Sequence, residues 1–220
     1  MAPEEGQLEV KGDFAFENNE NAGKQGEGGA IYNAGALNIH DDAKFVNCSA
    51  TNGGAIYHKG VLSMAGAELV ISGNVVFDKC HATTAGGAIA GYEGHLSVGG
   101  STLFTECYVL NSAASVFGGA IAWFDCNDAG LAVEIKDKVQ INNCYARETT
   151  NMAMKQGAFG GAVYVNNASL SMKDATKVSG CYTSSQVNSY GGGVYAINST
   201  GNEKSVFLKD VTFDNCSVFR

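Results

Sequence analysis

Residues 86–107 read GGAIAGYEGHLSVGGSTLFTEC. Three short apolar segments stand in this stretch, at Ile89, at Leu96/Val98 and at Phe104, with Gly, Glu and Ser turns between them. Alternation with a period of two, broken by turn residues, predicts short strands. The Gly-Gly step and the β-branched residues oppose a helix, and apolar residues do not recur at i, i+3, i+4.

The same order recurs along the chain. Gly-Gly followed by an apolar pair appears at Gly28–Tyr32, Gly53–Tyr57, Gly86–Ala90, Gly118–Ala122, Gly160–Tyr164 and Gly191–Tyr195. A second motif places an aromatic or β-branched residue three before a Cys: Phe45/Cys48, Phe77/Cys80, Phe104/Cys107, Ile141/Cys144, Val178/Cys181 and Phe213/Cys216, with Phe16/Asn19 as a Cys-less copy. Between them lies apolar-x-apolar, at Leu8, Leu37, Leu69, Leu96, Val133 and Leu170. From its first residue to the Cys (or Asn19) the spacing is 11 in all six copies. Constant spacing beside variable loops marks a rigid unit. One unit cannot bury its apolar face alone, but stacked units form a continuous core. The reading is all-β: a right-handed parallel β-helix (solenoid), three short strands per coil, about six and a half coils. Residues 1–7 form a lead-in, 8–216 a single repeat domain and 217–220 a tail.

Within the first segment the Ile or Val is placed inside. Strict alternation then puts the Ala outside and the fifth position on an outer ladder of Tyr32, Tyr57, Ala90, Ala122, Tyr164 and Tyr195. That ladder is the candidate partner-binding face, unless loops cover it. Long connections are expected at about 58–68, 123–132 and 196–205, with a further insertion at 145–159. They supply the candidate binding-loop residues Trp123, Phe124, Arg147, Met152 and Met154. Trp123 reads either as a partner anchor or as a lid on the core. Cys48, Cys80, Cys107, Cys144, Cys181 and Cys216 are expected to stack as an internal column of mostly unpaired, inert thiols, with Cys126 apart from it in a loop.

The chain has 220 residues, a formal charge of −8 and 16% charged residues. Only two residues are Arg and no basic cluster occurs, so nucleic acid is not an expected partner. Collagen is excluded by the lack of a three-residue Gly period and by a single Pro. No apolar run is long enough for a membrane span. The acidic start Met1-Ala2-Pro3-Glu4-Glu5-Gly6 does not read as a signal peptide. A phosphate cradle at Gly26-x-Gly28-Gly29 fails because no Lys-Ser/Thr and no helix follow. The Cys spacing is wrong for local zinc pairs, so neither a metal nor a cofactor is expected.

Many β-helices act on polysaccharides, which calls for convergent carboxylates or a base. Asp41-Asp42 and Asp125/Asp128 read as corner residues, and His40, His58, His81 and His95 share no repeat position. No catalytic residue is assigned, and the polysaccharide-active enzyme stays a lesser alternative. An ice-binding face lacks its regular Thr ladder. Glycosylation sequons stand at Asn47, Asn167, Asn198 and Asn215.

The pair Gly-Gly-Ala-Ile and Phe16-Glu17-Asn18-Asn19 resembles the repeat of the chlamydial polymorphic outer-membrane proteins, autotransporter adhesins with a β-helical passenger. The Cys form, as in Phe45-Val46-Asn47-Cys48, resembles that of large surface proteins of algae and other microbial eukaryotes. The resemblance covers about residues 8–216. It implies a non-catalytic, adhesin-like module at the cell surface or outside the cell, with protein partners or end-to-end association of β-helices. The other reading is an accessory or scaffolding subunit on the soluble face of a photosynthetic or other organellar membrane complex, for example in the thylakoid lumen of an alga.

Overall fold

A computed structural model describes residues 7–10, 12–23, 25–60, 67–125, 133–149, 156–199 and 203–220; at 7–10 it describes the backbone alone. Every described strand pairing is parallel, and no helix occurs among the described residues. The chain is a parallel β-solenoid of about six turns, with the three strand segments of each coil stacked on their equivalents.

The Gly-Gly segments form a six-stranded sheet from Ile31–Asn33 to Val194–Ile197. The middle segments form a seven-stranded sheet from Gln7–Val10 to Val206–Leu208, and the Phe segments another from Phe14–Glu17 to Thr212–Asp214. Register follows the motifs. Leu37 pairs Leu69 and Leu69 pairs Leu96; Phe45 pairs Phe77 and Phe77 pairs Phe104; Ile56 pairs Ile89 and Ile89 pairs Ile121.

The connection from each Cys to the next Gly-Gly is itself a sheet of nine strands, which the sequence reading treats only as a variable corner. Its strand His81–Ala85 forks. Its start pairs Tyr108–Asn111 and its end pairs Val116–Phe117 of the same following coil. The expected tail is part of this sheet, because Ser217–Phe219 pairs Tyr182–Ser184. The lead-in likewise gives up Gln7 to the first strand.

Two local rules turn each coil. The residue before each Cys, or before Asn19, has positive φ: Asn18, Asn47, Lys79, Glu106, Asn143, Gly180 and Asn215. Asn and Gly tolerate this conformation, whereas Lys and Glu do not favour it. The Gly-Gly step turns the other corner. Gly86 has φ +60°, and a Cβ on Gly87 would lie 2.2 Å from the Gly119 carbonyl oxygen of the next coil. Coil-to-coil approach is thus set by backbone that cannot move aside.

The core is a set of ladders. Phe16, Phe45, Phe77 and Phe104 stack at 5.4, 4.8 and 4.7 Å, and Phe14 packs edge-on against Phe16 and Phe45. Burying each such ring contributes about 1.5–3 kcal/mol. Ala55, Ala88, Ala120 and Ala162 are fully buried in this core beside the Ile or Val that follows each. This corrects the outward placement of that Ala. It lies in the bend before the strand begins, where strand alternation has no force.

Candidate binding surfaces

The outer ladder on the Gly-Gly sheet exists in register, Tyr32–Tyr57–Ala90–Ala122–Tyr164–Tyr195. It is not a flat open face. Ala90, Ala122 and Tyr164 are buried in a second apolar cluster outside the coil, together with Ala85. Phe117, Phe124 and Phe159 pack onto it. The Gly-Gly corner folds one end of the nine-stranded sheet toward this row, and its ring-bearing strands fill the angle. Phe117, Phe159 and Tyr190 stack at 5.4 and 5.6 Å, and Phe117 and Phe159 meet Tyr164 at 4.8 and 6.4 Å. Burial among these rings pushes the Tyr164 hydroxyl up to about 12. Tyr57 and Tyr195 are half-buried, and Tyr32 alone is open, at 50% exposure.

The loop residues separate. Trp123 is fully buried and lies in the core, which corrects its reading as a partner anchor. It sits two residues after Ile121 on the strand Ile121–Phe124, so alternation turns it inward. Its ring occupies the space over Gly91, where a Cβ would lie 2.1 Å from the indole Cζ3, and it stacks on His58 at 5.5 Å. Phe124 is half-buried against Phe117 and Tyr164. Arg147 is exposed, on the strand Tyr145–Glu148 rather than in a loop. Met152, Met154, Cys126 and Asp128 lie outside the described residues.

The repeat-position thiols line the interior of the stack. Cys48, Cys80, Cys107, Cys144 and Cys181 are fully buried, Cys216 is partly so, and all six are free thiols. Most donate to a carbonyl one coil back: Cys80 to Phe45 at 3.2 Å, Cys107 to Phe77 at 3.4 Å, Cys181 to Ile141 at 3.5 Å. Burial pushes the Cys107 and Cys144 thiols well up, while the thiol of the next coil raises and that of the preceding coil lowers each. Protonated and dry, they are poor nucleophiles.

The acidic corner residues are absorbed locally. Asp41 Oδ2 accepts from Gly12 N at 2.7 Å, Asp42 Oδ1 from Asn74 Nδ2 at 2.8 Å, and Asp125 Oδ1 from Asn167 Nδ2 at 2.7 Å. Among the described residues no group of three or more His, Cys, Asp or Glu is placed to hold a metal ion. Of the sequon asparagines, Asn167 is buried and bonded, whereas Asn47, Asn198 and Asn215 are exposed.

One surface row escapes the sequence reading. The residue after each Cys points outward from the nine-stranded sheet, in the register Ser49–His81–Tyr108–Tyr145–Tyr182–Ser217. His81, Tyr108, Tyr145 and Tyr182 stack at 4.9, 5.0 and 4.9 Å with planes within 7°. Their faces are spent on one another, and the edges remain for solvent. Burial and the two neighbouring phenols push Tyr145 up. Beside this row run exposed Leu110 and Arg147, paired across coils. On its other side an open groove of about 500 Å³ is bounded by Lys79, Glu106 and Asn143. The signal was available in the sequence, since the position after Cys is aromatic in three consecutive copies.

No family model, no curated protein and no solved structure matches this chain.

Proposed function

We propose that this chain is a non-catalytic binding rod, an adhesin-like module that engages a protein partner with the outer face of its nine-stranded sheet. The observation that carries this reading is the row Tyr108, Tyr145, Tyr182, half-buried in its own stack and flanked by exposed Leu110 and Arg147. Tyr and Arg are the residues most enriched where proteins meet, and stacked rings lose little side-chain entropy on binding. The rings are held by strands on a rigid scaffold, so the surface is organised before any partner arrives. The carboxylates that an enzyme would need are instead spent on corner amides. The likeness of the repeat to that of microbial surface proteins agrees with this role and with a cell-surface or extracellular setting.

The test is capture of partners from source cells on the immobilised full chain. The comparison is a variant carrying Tyr108→Ser, Tyr145→Ser, Tyr182→Ser and Arg147→Ser. Loss of the captured protein in the variant supports the reading. An unchanged set of captured proteins overturns this face as the binding site. Recovery at fixed stoichiometry within a large assembly replaces the adhesin by an accessory subunit. Turnover of a polysaccharide by the chain overturns the non-catalytic reading.

A further inference from the structure

His58 is the second residue of the inward row of the Gly-Gly sheet and is fully buried. Its protonation state follows from its neighbour. Asn33 Oδ1 accepts from Gly35 N at 3.2 Å, and Asn33 Nδ2 donates to Gly35 O at 2.8 Å, which fixes the orientation of the amide. The second Nδ2 hydrogen is then directed at His58 Nδ1, 2.9 Å away. Nδ1 must therefore hold a lone pair, and the ring's single proton sits on Nε2. Nε2 faces the Ala67 carbonyl without a well-formed hydrogen bond.

The ring is wedged in place. It stacks on Trp123 at 5.5 Å across the gap left by Gly91, and a Cβ on Gly94 would lie 2.8 Å from Nε2. A second proton can enter only at Nδ1. There it sets one donor against another and places a charge where no water reaches.

Among the described residues no carboxylate acts on His58: Glu68, beside Ala67, is exposed, and Asp125, past Trp123, is bonded to Asn167. On its own strand Tyr57 and Lys59 alternate to the outer face, as do Tyr32 and Tyr92 on the flanking strands. Trp123 and Val165 complete the inward row beyond Gly91. From the middle sheet the titratable group that acts on His58 is His95, of the same sign.

We propose that His58 is a proton-operated latch: taking up a proton breaks its bond to Asn33 and opens the Gly-Gly sheet of the first coils where Ile56–Lys59 pairs Ile31–Asn33. The direction follows from the pKa. Burial lowers it from 6.5 to about 4; the Ala67 carbonyl opposes this in part, and His95 adds a smaller lowering. The open form keeps the ordinary value. As pH falls from 6.5 to about 4 the open form takes up the proton first, and the closed form loses stability across that window. Below it both forms are protonated and no further loss occurs. Each unit of pH across the window raises opening by about tenfold, so the whole window raises it by a few hundredfold.

The test is hydrogen exchange of the full chain from pH 7 to pH 3.5, corrected for intrinsic rates, with acrylamide quenching of Trp123 in parallel. Amides of Ile56–Lys59 should lose protection by about two orders of magnitude, while those of Leu170–Met172, far along the rod, keep theirs. His58→Gln, which retains an acceptor for Asn33 but cannot charge, should remove the acid response and leave pH 7 protection intact. Asn33→Asp, which supplies a carboxylate to an imidazolium, should move the response to lower pH. Equal loss at both sites overturns the proposal, as does an unchanged response in His58→Gln. If His58→Gln does not fold, an unmoved response in Asn33→Asp overturns it.

Discussion

Two columns of side chains run along the interior and follow opposite rules. The Cys column repeats one residue, and five of its six thiols donate to a carbonyl of the coil behind. The inward row Asn33–His58–Gly91–Trp123–Val165–Ala196 repeats nothing, although its backbone pairing is just as regular. In the first, coil stacking alone satisfies every member. In the second, each residue is matched to its neighbours: an amide to an imidazole, an indole to the gap over a glycine. Repetition specifies the scaffold, and departures from it place individual chemistry at one point along the rod.

The largest effect should come from breaking the backbone rule that both columns share. Gly87→Val drives side-chain carbon into the Gly119 carbonyl and the Tyr108 backbone and should abolish the cooperative melt seen by circular dichroism. Gly91→Val makes the sharper contrast, since its obstacle is a side chain. It should destabilise by about 3 kcal/mol, and Trp123→Val in the same chain should restore part of that loss, a coupling readable in a double-mutant cycle of urea melts. No side-chain change elsewhere should rescue Gly87→Val.

Within the repeating columns, Phe77→Ala should cost about 3–5 kcal/mol in the same melts, because the rings on both sides of the stack lose contact. The thiols give a milder test. Under native conditions a thiol reagent should modify Cys216 readily and the five buried column members only on unfolding. Ready labelling of Cys107 would break the picture of a dry column. The smallest effect is a gain. Glu106→Gly relieves a side chain held at φ +52° and gives up only a 4.0 Å surface contact with Lys79. It should stabilise by about 0.5–1 kcal/mol.

The three strand segments, their register and the Cys column could be read directly, because spacing and residue type repeat together. The errors have local causes. Ala88 was placed outside by extending alternation back into a bend. Trp123 was placed in a loop although it stands two residues from the inward Ile121, and the length of the following connection outweighed that cue. The cover that Phe117 and Phe159 lay over Ala122 could not be read, since it depends on how sharply the Gly-Gly corner folds two sheets together. The tyrosine row is legible one position past three consecutive Cys, where a motif that ends at the Cys overlooks it. The His58 bond to Asn33 joins residues 25 apart whose types recur nowhere else in that inward row, so periodicity gives no hint of it.

The forked strand His81–Ala85 has a consequence for how such a chain can change. Its two ends hold separate strands of the next coil, and the four residues between them, 112–115, belong to neither. Chain can therefore be added there as a side branch, while both flanking pairings stay anchored. This is where a foreign peptide could be grafted at the least disturbance to the rod, and where lineages could diversify its outline while the stacking pattern is inherited unchanged.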